Sequence, residues 1–174
     1  DRTVIDEDGV YRKIGPARIF ISEADAIKAV KDKGVNGVKA GDIMVVACGG
    51  PKGTGMQEVA QITIALKYLN HGKEVALITD GRFSGVSTGA CIGHIGPEAL
   101  DGGPIGKLKE NDLIEINIDT INLEGSINLI GEDGQNKGLE WGNEQLNKRD
   151  LRSDLKPQDG LPEDTVLWAH LQSL

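Results

Sequence analysis

The sequence predicts an α/β fold with a mixed β-sheet, barrel-like, with flanking helices. Three observations predict it. Residues 43–47 and 75–79 are continuous apolar runs, the pattern of strands buried on both faces. Residues 112–118 instead alternate, with Ile114, Ile116 and Ile118 separated by Glu115 and Asn117, which marks a half-exposed strand of period two. Helical periodicity falls between the apolar runs, giving the order strand, helix, strand, loop, helix, strand and then several strands. The second half is too rich in alternating strand for a purely doubly wound sheet.

Residues 17–21 read as a short strand. Ser22 then caps a helix whose first turn carries Glu23 and Asp25 and whose buried side carries Ala26, Ile27 and Val30; Gly34 ends it. The strand at 43–47 runs into the glycine-rich loop Cys48-Gly49-Gly50-Pro51-Lys52-Gly53-Thr54-Gly55. Val59, Ile62, Leu66 and Leu69 recur at spacings of three and four, predicting a helix that places Glu58 in its first turn and stops at Gly72. The strand at 75–79 leads into a second loop, 80–89. Further strand is expected within 121–130, turning at Glu124-Gly125, and a short helix over 143–149. Trp168 and Leu171 are expected to dock onto a neighbouring surface.

The 174 residues suit a single domain, with a core over 15–130 and a polar C-terminal extension over 131–174. A net charge of -8 and an aromatic content of 3% argue against nucleic acid as partner. No run of about 18 apolar residues suggests a membrane span. The opening Asp1-Arg2-Thr3-Val4 has neither an initiator Met nor a signal-peptide pattern, and reads as the start of a piece of a longer chain. Cys48 and Cys91 form no C-x-x-C pair and read as buried free thiols, a long-range disulfide or isolated ligands completed by another domain; buried free thiols are the favoured reading, pointing to a reducing, cytoplasmic setting.

Both glycine-rich loops follow the C-terminal ends of buried strands, the edge at which α/β sheets gather ligands. Close approach of backbone to a ligand, or tight turns alone, would explain their composition. Gly50 and Gly55 have P-loop spacing, but Met56 and Gln57 stand where Lys and Ser/Thr are needed. The dinucleotide fingerprint fails at Glu58, and a carboxylate there suits a metal better than a phosphate. Ser84 does not sit in a G-x-S-x-G elbow, and His71, His94 and His170 offer no triad spacing. From local sequence Ser84 is as readily a turn cap as a reactive group.

Gly50-Pro51-Lys52-Gly53-x-Gly55-Met56-x-Glu58, Thr79-Asp80-Gly81-Arg82-Phe83-Ser84-Gly85 and Gly93-His94-Ile95-Gly96-Pro97-Glu98-Ala99, with Gly15-Pro16-Ala17-Arg18 before them and Gly102-Gly103-Pro104-Ile105-Gly106 after, resemble the dihydroxy-acid and 6-phosphogluconate dehydratase family. The resemblance covers roughly residues 15–120, in order. Residues 83–94 and the tail Leu161-Pro162-Glu163-Asp164-Thr165 look closest to the branch acting on pentonic acids such as xylonate.

That resemblance implies a C-terminal domain of swivelling type from a hydro-lyase, which turns a 2,3-dihydroxy acid into a 2-keto-3-deoxy acid. It implies an iron–sulfur cluster acting on the departing 3-hydroxyl and a Mg²⁺ ion on the carboxylate and 2-hydroxyl. It also implies the chain's own N-terminal domain as partner, holding the cluster ligands, and a homo-oligomer when full length. Ser84 matches the family's base at C2, and Glu58 its metal carboxylate, against the alternative of a carboxylate favoured by a helix dipole. Arg82 is a substrate contact or a structural ion pair. Asp80 orders its loop. His94 lines the site or packs a turn, and Lys52 positions an acidic substrate or is a solvated loop lysine. Val86 stands where some relatives carry Thr, leaving Ser87 and Thr88 as the hydroxyls for a substrate carboxylate. Neither Cys48 nor Cys91 is taken as a cluster ligand, and the piece alone is expected to be inactive. The rival expectation is a non-catalytic ligand-binding or assembly module on the same scaffold.

Overall fold

The computed structural model describes residues 1–85 and 87–172. Its strands are β1 (Val10–Phe20), β2 (Ile43–Val46), β3 (Ala76–Thr79), β4 (Ala90–Ile92), β5 (Asp112–Asp119), β6 (Glu124–Glu132) and β7 (Gln135–Asn136). Its helices are α1 (Glu23–Lys31), α2 (Pro51–Thr54), α3 (Gln61–Lys67), α4 (Leu139–Lys148) and α5 (Glu163–Gln172). The strands form one mixed sheet in the order β4-β3-β2-β1-β5-β6-β7, parallel from β4 to β1 and antiparallel from there on.

The apolar runs behave as expected: all four residues of β2 and all four of β3 are buried. Alternation sends Met44, Val46 and Leu77 toward α1 and α3, where Val30, Ile62 and Leu66 meet them. Ile43, Val45, Ala76 and Ile78 face the other way, into a core shared with Ile114 and Ile116. Ile78 of β3 and Ile127 of β6 line one small apolar hollow with Ile105 and Leu146. Three strands separate β3 from β6, so a flat sheet would hold them about 19 Å apart at about 4.8 Å per strand. The sheet is therefore strongly curled.

β1 is longer than its predicted segment. Residues 17–20, within the expected strand, pair parallel with β2, but residues 10–16 pair antiparallel with β5, about 100 residues further on in the sequence. Gly15 is required in that strand, because a Cβ there would sit 2.1 Å from Gly41 O. Ser22 caps α1 as expected, its Oγ accepting from Asp25 N at 3.1 Å. The helix ends at Lys31, short of Gly34. The β5–β6 turn falls at 120–123 rather than at Glu124-Gly125, because Asp119 Oδ1 accepts from both Ile121 N and Asn122 N at 2.8 Å.

The largest correction concerns Val59. It is buried, but in an extended segment whose N–H donates to Arg82 O at 2.8 Å, and α3 begins only at Gln61. Its apolar spacing mimicked a helical turn that is not formed. Glu58 is thus not in a first helical turn, and a dipole cannot account for it. Glu23 of α1 takes the place of a capping side chain, accepting from Ile62 N at 3.1 Å.

The C-terminal extension is fastened rather than peripheral. Arg149 makes paired bonds of 2.6 and 3.0 Å to Asp112, both side chains being buried. Breaking a pair of this kind leaves an uncompensated charge at a cost of about 3–5 kcal/mol. Trp168 does sit by a neighbour, its Cβ against Gly55, yet the residue remains 60% exposed, and Leu171, also expected to dock, is 48% exposed.

Candidate active site

The parallel half of the sheet ends at Phe20, Val46, Thr79 and Ile92, and the chain leaves each end in a loop. These loops are bound to one another by main chain. Asp80, 2% exposed, accepts from Cys48 N, Gly49 N and Ala99 N at 3.2, 2.8 and 2.9 Å, tying three loops to one carboxylate. Glu98 does the same on a smaller scale, both oxygens accepting from Lys52 N. Burial raises the Glu98 pKa, and the Lys52 N–H partly opposes that shift. The glycines answer largely to this bracing: a Cβ on Gly81 would lie 2.7 Å from Gly49 O. Backbone does approach closely here, but the neighbour is another loop of the same chain.

Glu58 and Arg82 face each other in an isolated parallel bridge. The Arg82 guanidinium donates to Glu58 Oε1 and, through Nε, to Met56 O at 2.6 Å. Of the two sequence readings of Arg82, the ion pair is therefore present. Ser84 follows two residues later, at most about 7 Å of extended chain. With about 4.8 Å across the bridge, its Cα lies within about 12 Å of that of Glu58. The turn after it is closed by main chain, Ser87 N donating to Ser84 O at 3.3 Å. Ser84 Oγ makes no hydrogen bond among the described residues, so the turn-cap reading does not describe it. Ser87 Oγ is buried without a partner among the described residues. Val86 lies outside them.

The remaining expected residues are less convergent. His94 is exposed, at φ +57°, and its N–H donates to Gly81 O at 2.8 Å, which lays residues 93–95 beside the serine loop. Lys52 is paired with Asp101. Thr88 lines a hollow with Leu66, Asn70 and Gly89, apart from the one that Glu58 lines. The Glu58 cleft, about 250 Å³, is walled by Ser22, Val46, Gly49, Gln57 and, unforeseen from sequence, residues 158–162. A larger hollow of about 610 Å³ lies at the opposite sheet edge among Val30, Val38, Tyr68 and Leu69, and contains none of the expected site residues.

For metal binding, Glu58 offers a hard oxygen on a cleft rim, side chain 42% exposed, which suits one ligand of a Mg²⁺ ion. No group of three or more His, Cys, Asp or Glu side chains is placed to hold a metal among the described residues. Both cysteines are free, as expected, but only Cys48 is fully buried, Cys91 being half-buried; burial pushes each thiol up to about 11. Among the described residues no helix is long and apolar enough to cross a membrane.

Glu58 and Arg82 thus meet beside the parallel strand ends, and Ser84 follows on the loop after β3, outside the lining of the Glu58 cleft. The chain belongs to the dihydroxy-acid/6-phosphogluconate dehydratase C-terminal family, whose model matches residues 2–159. It is 55% identical to D-xylonate dehydratase YagF and 54% identical to D-xylonate dehydratase YjhG, both of Escherichia coli (strain K12), in each case along the whole of this chain and 26% of the relative. A dihydroxy-acid dehydratase of Renibacterium salmoninarum is 50% identical over 60% of this chain and 18% of its own length. The chain spans about a quarter of the length of the two D-xylonate dehydratases it matches.

Proposed function

We propose that this chain is the substrate-side half of a hydro-lyase that dehydrates a sugar acid of the xylonate type to a 2-keto-3-deoxy acid. The observation that supports the reading is the Glu58–Arg82 bridge, which sets a carboxylate able to bind a metal beside the chain that leads, two residues on, to Ser84.

In the proposed reaction Ser84 Oγ, as the alkoxide, takes the proton from C2 of the bound acid while the C3–O bond breaks; the departing hydroxide and the abstracted proton together make the water lost, and Ser84 returns to its alkoxide. The resulting enol tautomerises to the keto acid. A C–H next to a carboxylate is weakly acidic, and a serine hydroxyl is a poor base unless positive charge favours its alkoxide. Mg²⁺ held by Glu58 would supply that charge beside the substrate's carboxylate and 2-hydroxyl. Arg82 holds Glu58 in place and adds positive charge at the rim. Ser87 Oγ, which has no partner among the described residues, and His94 are candidates for substrate contact. Thr88 and Lys52 are weaker ones, since Thr88 faces another hollow and Lys52 is paired with Asp101.

An iron–sulfur cluster, whose ligands would lie in the N-terminal part of a longer chain, would supply a Lewis acid for the departing 3-hydroxyl, and the piece alone is therefore expected to be inactive. That part is the proposed partner, within a cytoplasmic homo-oligomer, and the curl of the sheet supports the barrel-like, swivelling type expected for it. A second reading, a non-catalytic binding or assembly module, is favoured by one observation: Glu58 is already engaged by Arg82.

Glu58→Gln in the full-length protein separates the two. The proposal expects the Mg²⁺ concentration for half-maximal dehydration to rise at least about tenfold. An unchanged Mg²⁺ response would favour the module.

A further inference from the structure

We propose that residues 156–162 form a strap that selects the substrate, by taking the distal hydroxyl groups of a polyhydroxylated acid while Glu58 holds its reacting end; the proposal rests on the hydro-lyase reading above. The strap is pinned at both ends. Before it, Leu155 packs into the core and meets Gly106. Within it, Gln158 N donates to Gly53 O at 2.9 Å and Gln158 Nε2 donates to Ile21 O, fastening it to two strand-end loops. After Gly160, at φ +72°, the chain turns into α5, which sits on Gly55; a Cβ there would lie 3.0 Å from both Thr165 O and Trp168 Cβ. Held this way, residues 158–162 wall the same cleft as Glu58.

The chemistry gives that wall a job. Every substrate of this reaction class shares the carboxylate and the two reacting carbons, so discrimination must come from the rest of the molecule. The strap presents main-chain groups, the Gln158 side-chain oxygen, which makes no hydrogen bond among the described residues, and the Asp159 carboxylate, one oxygen of which accepts from Lys156 Nζ within the strap. Groups placed to hydrogen-bond a hydroxyl strongly reject an analogue lacking it, because they are then left unpaired. The comparison agrees: the family match stops at residue 159, inside the strap, while the two D-xylonate dehydratases align along the whole chain.

The test uses the full-length protein with Gln158→Ala and, separately, Asp159→Ala, whose side chain is 80% exposed and whose loss leaves the fold intact. Steady-state kcat and KM are measured for D-xylonate and for 2,3-dihydroxybutanoate, which has the same reacting diol and no distal hydroxyls. The expected result is a fall of about tenfold or more in the ratio of the two kcat/KM values, carried by KM for D-xylonate. Equal losses on both acids, or an unchanged ratio in both variants, would overturn the strap's role while leaving the hydro-lyase reading standing. An unsubstituted protein that dehydrates neither acid would overturn that reading and this proposal with it.

Discussion

Replacing Ser84 by Ala in the full-length protein is expected to lower kcat for D-xylonate by about 10²–10⁴-fold or more, the range for loss of a positioned base. The fold should not notice. Ser84 Oγ makes no hydrogen bond among the described residues, and its turn is held by the main-chain bond from Ser87 N to Ser84 O. Urea midpoints of the Ser84→Ala and parent proteins should therefore agree. The loss should appear in kcat rather than in KM, because the hydroxyl acts on the C2 proton as it leaves. Activity within about threefold of the parent would remove Ser84 from the role of base.

Asp80→Ala is expected to have the largest effect on stability. The buried carboxylate accepts from three backbone N–H groups on two other loops. Alanine would leave all three without a partner, and each buried unmade bond costs about 1–3 kcal/mol. A loss of about 3–5 kcal/mol is therefore expected, a large share of the roughly 5–15 kcal/mol that holds a domain folded. Urea unfolding of the 174-residue chain measures it. A change below about 1 kcal/mol would mean that water or rearranged loops satisfy those donors. Asp80 touches no substrate in this account. It acts by holding the loops of Cys48-Gly49 and Ala99 against the one that carries Ser84.

The sequence showed the parts of this structure whose causes are local. β2 and β3 were legible because a strand buried on both faces is apolar at every position, and α1 because Ser22, Glu23 and Asp25 write its start. Asp80 as a loop organiser was legible too. The first half of β1 was not: Arg12, Lys13 and Gly15-Pro16 interrupt any strand pattern, and the partner that makes it a strand lies about 100 residues on. Val59 deceived for a related reason, since its burial comes from the bridge to Arg82 and not from a helix face.

The candidate site was legible only through the resemblance. Glu58 and Arg82 are 24 residues apart, and nothing in their spacing announces an ion pair. Glu98 carried no reading of its own in the sequence, because its hold on Lys52 N appears only in the fold. The strap was hidden by its own composition. A polar, turn-rich tail reads as solvated until Gln158 is found bonded to Gly53 and Ile21.

The division of the site between this chain and the rest of a longer protein is the central claim, and one assay addresses it most directly. D-xylonate is supplied with Mg²⁺ to the full-length protein and, side by side, to the isolated 174-residue chain, and the 2-keto-3-deoxy acid is measured. The account predicts product from the full-length protein and none above background from the isolated chain. Product from the chain alone, or none from the full-length protein, would contradict it.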